Sequence, residues 1–87
     1  MYFVELSIKA RKFLDRLDNN IRNRIEERLK RLGETPIPSD SKFIERDDDN
    51  DMILRYRIGD YRALYKVKHK EKIVLIVNID KRPRVYD

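Results

Sequence analysis

Between Leu54 and Tyr65 the chain reads Leu54-Arg55-Tyr56-Arg57-Ile58-Gly59-Asp60-Tyr61-Arg62-Ala63-Leu64-Tyr65, two alternating stretches joined by Gly-Asp. Alternation with a period of two is the signature of strands with one buried face, and Gly-Asp supplies a two-residue hairpin loop. A loop of that length sets the register, which pairs Ile58 with Tyr61, Arg57 with Arg62, Tyr56 with Ala63 and Arg55 with Leu64. The side chains then separate onto two faces. Leu54, Tyr56, Ile58, Tyr61, Ala63 and Tyr65 form the core face, while Arg55, Arg57, Arg62 and Lys66 surround Leu64 on the other. Like charges placed opposite each other cost a strand pair roughly 0.2–1 kcal/mol. A polyanion across this face would offset that cost, because guanidinium groups grip phosphate bidentately and stay charged at any ordinary pH.

The rest of the chain fits around this hairpin. Tyr2 to Leu6 reads as a first strand, and Ser7 as the cap of a helix reaching about Leu17 with Ala10, Phe13, Leu14 and Leu17 on one stripe. After a turn at Asp18-Asn19-Asn20, Ile21, Ile25, Leu29 and Leu32 mark a second helix closed by Gly33. Arg22, Arg24, Arg28, Lys30 and Arg31 form its solvated face. From Glu34 to Asp51 the prolines and the acidic run predict a loop, pinned to the sheet by Lys42-Phe43-Ile44. His69 to Lys72 is a second turn. Ile73 to Ile79 is almost continuously apolar, as a strand covered on both faces would be. The expected fold class is α+β, in the order β-α-α-β-β-β: an N-terminal strand, a two-helix hairpin and a three-stranded antiparallel meander, with the helices on one face of the sheet. Eighty-seven residues suffice for one such unit, so residues 1–87 are read as a single domain.

Charge is distributed unevenly. Residues 1–53 carry 11 Lys+Arg and 12 Asp+Glu, a net of −1, and residues 54–87 carry 10 and 4, a net of +6. A basic half joined to a nearly neutral half is the asymmetry of a nucleic-acid-facing surface. No apolar run is long enough for a membrane span and no signal peptide is visible, so a cytoplasmic location is expected, with no membrane contact. With no cysteine there are no disulfides and no thiol chemistry. Asp47-Asp48-Asp49-Asn50-Asp51 mimics a calcium loop, but Met52 stands where glycine is needed and Ile58 where the bidentate glutamate should be. A single histidine, His69, excludes two-histidine ribonuclease chemistry. No metal and no cofactor is expected. Arginine, lysine and tyrosine remain, and they suit cleavage of RNA by its own 2′-OH, where the protein orients the nucleophile, neutralises developing charge and manages protons.

The element order, the Leu54–Tyr65 segment and the ending Lys81-Arg82-Pro83-Arg84-Val85-Tyr86 resemble the RelE/ParE toxin superfamily, its RelE branch most of all, over essentially the whole chain. The resemblance implies a toxin of a type II toxin–antitoxin pair, an endoribonuclease (mRNA interferase) that cuts messenger in the ribosomal A site through 2′-OH attack and so inhibits translation. Its implied partners are a RelB-like antitoxin, held in a hetero-oligomer, together with the ribosome and mRNA. Carried over by position, Arg62, Arg82 and Tyr86 are the implied catalytic residues, with Arg55, Arg57, Lys81 and Arg84 binding RNA. Arginine stands at 55 and 57 where RelE-like toxins carry lysine, and arginine is a very poor base. Arg55 and Arg57 are therefore read as binding and charge-stabilising groups, with Tyr86 as a proton-transfer group. Counting leaves the tail open: an even second turn aligns Lys81 with the arginine face, whereas an odd turn or a bulge aligns Arg82. A gyrase inhibitor of the ParE kind and a noncatalytic RNA-binding domain are the alternatives on the same fold.

Overall fold

The computed structural model describes residues 1–82, which form a five-stranded sheet with two helices on one face. The elements are β1 (Phe3–Leu6), α1 (Ile8–Asp15), α2 (Asn19–Glu34), β2 (Ser41–Arg46), β3 (Met52–Ile58), β4 (Tyr61–Lys68) and β5 (Ile73–Lys81). Strand order is β1-β5-β4-β3-β2, with β1 parallel to β5 and every other pair antiparallel. The crossover from β1 to β5 holds the whole meander beneath the helices. No helix among the described residues is long and apolar enough to cross a membrane.

Local chemistry sets the helix starts. The Ser7 hydroxyl accepts from the Ala10 N–H at 3.0 Å, and Asp18 caps α2 by accepting from the Asn20 N–H at 3.1 Å. Asn19 and Asn20, read as turn residues, thus belong to the first turn of α2. Buried Ala10 and Leu14 of α1 and Ile25, Leu29 and Leu32 of α2 meet Leu54, Tyr56, Ile58, Ala63, Tyr65, Val67, Val74, Ile76 and Ile79 of the sheet in one core. Arg28 departs from the solvated face expected of it. Its guanidinium donates to the Tyr56 hydroxyl at 2.9 Å and lies 5.1 Å from that ring's centre, tying α2 to β3.

Three expectations are corrected. First, the segment read as a loop contains β2, a strand bonded along β3 with Ser41 opposite Tyr56 and Phe43 opposite Leu54. A bulge at Ile44 shifts its register, so its sequence never shows clean alternation. Second, Gly33 does not follow α2 but lies buried in its last turn. The Tyr2 N–H donates to the Gly33 carbonyl at 2.8 Å, and a Cβ on residue 33 would sit 2.8 Å from the Tyr2 oxygen. Glycine is required there for backbone approach rather than for a left-handed cap. Third, β5 is covered on one face only, since Ile73, Leu75 and Val77 are half-buried on the side away from the helices.

Candidate functional site

The expected hairpin register is the observed one at every pair from Ile58–Tyr61 to Arg55–Leu64. Gly59 has φ +60° while Asp60 stays out of the left-handed region, the pattern of a type II′ loop. Arg55, Arg57 and Arg62 therefore share the face turned away from the helices. Arg57 is exposed, and Arg55 and Arg62 are half-buried.

The end of β5 is positioned by a bulge. Leu64 pairs with Asn78 but Tyr65 pairs with Ile76, which leaves Val77 as the extra residue. Before it, Val74 and Ile76 face the core; after it, Ile79 does. One inserted residue reverses the phase, and Asn78 and Asp80 move onto the arginine face. Asp80 stands directly opposite Arg62, and Lys81 opposite Tyr61 on the helix side. The Arg82 N–H continues the pairing by donating to the Asp60 carbonyl at 2.6 Å, so alternation places Arg82 on the arginine face. The bulge is fastened from a distance: the Ser7 hydroxyl donates to the Val77 carbonyl at 2.7 Å, and the Ser7 N–H donates to the Ile76 carbonyl at 2.9 Å. One serine thus caps α1 and anchors the bulge that turns Arg82.

Of the candidate residues, Arg55, Arg57, Arg62 and Arg82 are brought together on one face. Lys81 is not among them; it lies exposed at the helix-side rim. Arg84 and Tyr86 lie outside the described residues. The charge crowding has an internal answer that pairing Arg57 with Arg62 did not reveal. Arg62 Nε donates to Asp80 Oδ1 at 2.8 Å, and Arg57 Nε turns back toward the Gly59 carbonyl at 3.4 Å. Arg62 and Asp80 are 34% and 46% exposed, so the pair stabilises the fold by only about 0.2–1 kcal/mol. Its consequence is a carboxylate in the middle of a basic surface. With Ile44, Arg55, Leu64 and Asn78 the two line an open cleft of about 190 Å³.

At the opposite end of the same face the acidic run folds over the lysines. Asp47 Oδ1 accepts from the N–H groups of Asp49 and Asp51, each at 3.0 Å, while Asp47 pairs with Lys66 and Asp51 with Lys68 at 3.2 Å. Lys66, first grouped with the arginines, is therefore neutralised. The Lys66 ammonium, with the Asp51 N–H second, holds the Asp47 carboxyl below its ordinary range, while Asp51 raises Lys68. The lowered Asp47 stabilises the native state above pH 3.8 and ceases to do so as pH falls through its native pKa; the raised Lys68 does so below pH 10.5 and ceases as pH rises through its own. Urea unfolding should therefore find Lys66→Met less stable than the wild type at neutral pH. The gap should close as acid protonates Asp47.

The comparisons with known proteins agree with this architecture. Residues 4–86 match the family model of the ParE toxin of the type II toxin–antitoxin system parDE. The protein named as the toxin RelE1 in Methanocaldococcus jannaschii is 30% identical over 83 residues, which cover 95% of this chain and 92% of that protein. Among solved structures, the archaeal RelE–RelB complex from Pyrococcus horikoshii OT3 contains a chain 30% identical, with TM-score 0.83 over 95% of this chain and 97% of that one. The RelBE2 toxin–antitoxin complex of Mycobacterium tuberculosis contains one 27% identical, with TM-score 0.77 over 93% and 98%. A helical hairpin on one face of a five-stranded sheet, matched along nearly its whole length by these toxins, leads to one conclusion: this chain belongs to the RelE/ParE superfamily and is a toxin of a type II toxin–antitoxin system.

Proposed function

We propose that this toxin is a ribosome-dependent endoribonuclease that cuts mRNA in the A site and is silenced by a RelB-like antitoxin. The observation carrying this reading is the β5 bulge, whose phase reversal aligns Arg82 with Arg55, Arg57 and Arg62. Four guanidinium groups on one face match a phosphodiester backbone, and a charge cluster of that kind suits phosphate better than a protein interface depleted of charge at its centre. In this mechanism Arg55 and Arg57 hold flanking phosphates, with Lys81 and Arg84 extending the contact beyond them. Arg62 and Arg82 neutralise the negative charge that grows on the phosphoryl oxygens as the 2′-oxygen attacks. Tyr86 gives a proton to the departing 5′-oxygen. The products are a 2′,3′-cyclic phosphate and a 5′-hydroxyl. The antitoxin partner is supported by the two archaeal and mycobacterial relatives, each solved in complex with its antitoxin.

The matching family model carries the ParE name, so gyrase inhibition is the competing reading. A translating extract and a gyrase assay separate the two. Added toxin should produce messenger cut within translated codons, suppressed by equimolar antitoxin, and leave gyrase-linked DNA uncleaved. Accumulation of cleaved DNA with intact messenger would reject the nuclease reading.

A further inference from the structure

Cleavage by the 2′-OH needs a proton acceptor, and the arginines that dominate this face cannot serve, since guanidinium stays protonated at any pH the protein survives. We propose, resting on the mRNA-cleaving reading above, that Asp80 is that acceptor. Three observations converge on it. The first is register: the β5 bulge moves Asp80 from the helix side onto the arginine face, directly opposite Arg62. The second is its partner. Arg62 Nε holds Oδ1 at 2.8 Å, which fixes the carboxylate's direction while its side chain remains 46% exposed to the cleft shared with Arg55. The third is its place between two basic surfaces. Asp80 also lines the groove beside α1 that Lys9, Lys12 and Arg16 border. An RNA strand whose phosphates rest on the arginine face and on α1 passes over Asp80.

Of the other carboxylates on this side, Asp47 and Asp51 pair with Lys66 and Lys68 and are only 17% and 18% exposed, against 46% for Asp80. Glu45 lies opposite Ile53 on the outer strand β2, three strands from β5 and so roughly 14 Å away at the usual interstrand spacing. Asp80 is flanked by Arg62 from β4, Arg55 from β3, Lys81 and Arg82 from its own strand and the basic side chains of α1. In the step itself the 2′-hydroxyl proton passes to the Asp80 carboxylate as the 2′-oxygen bonds to phosphorus. The phosphorus–5′-oxygen bond breaks, and the 5′-oxygen is protonated as it leaves. Asp80 then returns its proton to solvent, and nothing is oxidised or reduced.

Single-turnover cleavage of labelled mRNA on programmed ribosomes, between pH 6 and 8.5, tests this with full-length wild type, Asp80→Asn, Asp80→Glu and Glu45→Gln. Asp80→Asn should slow cleavage by about 10²–10⁴-fold, the usual contribution of a general base. Its residual rate should climb about tenfold per pH unit as hydroxide takes over, whereas the wild-type rate should stay level. Asp80→Glu should recover part of the loss and Glu45→Gln should match the wild type. An Asp80→Asn rate that is lower but level with pH would overturn the inference, since that is what loss of Arg62 positioning alone would give. An unchanged Asp80→Asn rate would overturn it outright. Wild type that cuts no messenger at all would instead reject the nuclease function, and this inference with it.

Discussion

Alanine at Arg82 is expected to slow messenger cleavage by about 10²–10³-fold, the usual cost of removing one preorganised donor from a site of developing charge. Arg82 follows the last residue of β5, and its backbone is held by the bond from its N–H to the Asp60 carbonyl, which the substitution preserves. The fold should therefore survive, with an unchanged far-ultraviolet spectrum and unchanged antitoxin binding. Arg62→Ala should cost a similar factor for two reasons. It removes a charge stabiliser, and it releases Asp80 from the 2.8 Å bond that orients it. Arg57 is exposed at the hairpin rim, so Arg57→Ala should mainly raise KM. Single-turnover rates at saturating ribosome separate these effects. Equal losses for all three arginines would mean that the face acts only as an electrostatic surface.

The largest effect on stability is expected at Tyr65. Its ring is fully buried at the centre of β4, and its hydroxyl donates to the Pro36 carbonyl at 2.8 Å, tethering the segment between α2 and β2. Tyr65→Ala should cost about 3–5 kcal/mol through lost burial and an unfilled cavity. For so small a chain that is a large share of the whole, and the variant should be substantially unfolded at 37 °C. Tyr65→Phe isolates the hydroxyl and should cost about 1 kcal/mol. It also carries a pH signature. Burial, partly offset by a bond with Ser41, pushes the Tyr65 phenol up to about 12 from an ordinary 10.0. The native state keeps its proton where the unfolded chain gives it up, so stability from this group is complete below pH 10 and is lost as pH rises toward 12. Urea unfolding between pH 9 and 11.5 should show the decline in the wild type and a shallower one in Tyr65→Phe.

The difference between what the chain announces and what it conceals is physical. The Leu54–Tyr65 hairpin was fully legible because its alternation and its loop are local, and a two-residue loop leaves one register. The Ser7 cap and both apolar stripes are equally local, whereas Asp18, the cap of α2, was read as part of a turn. Strand β2 was hidden because Ser41–Arg46 is an edge strand, exposed over most of its length, and its bulge at Ile44 breaks the alternation. What makes it a strand is β3, a partner elsewhere in the chain. Gly33 was read by the commonest role of glycine near a helix end, while its actual constraint is the Tyr2 backbone. The bulge at Val77 is invisible within Ile73–Ile79, where every residue but Asn78 is apolar and no phase is marked. Its anchor, the Ser7 hydroxyl, lies 70 residues away. One signal was present: Asn78, Asp80 and Arg82 alternate with apolar Ile79, out of phase with buried Val74 and Ile76. Asp80 is not a candidate on local pattern alone, since only the reversed phase brings it opposite Arg62.

The chemistry of the arginine face decides what this toxin does, and one measurement reaches it directly. Purified toxin is incubated with ribosomes carrying an end-labelled messenger and an empty A site, and the position and chemical ends of the fragments are determined. The predicted result is a cut within the A-site codon, leaving a 2′,3′-cyclic phosphate and a 5′-hydroxyl and lost in Arg82→Ala. Intact messenger, or fragments produced equally by wild type and Arg82→Ala, would contradict it.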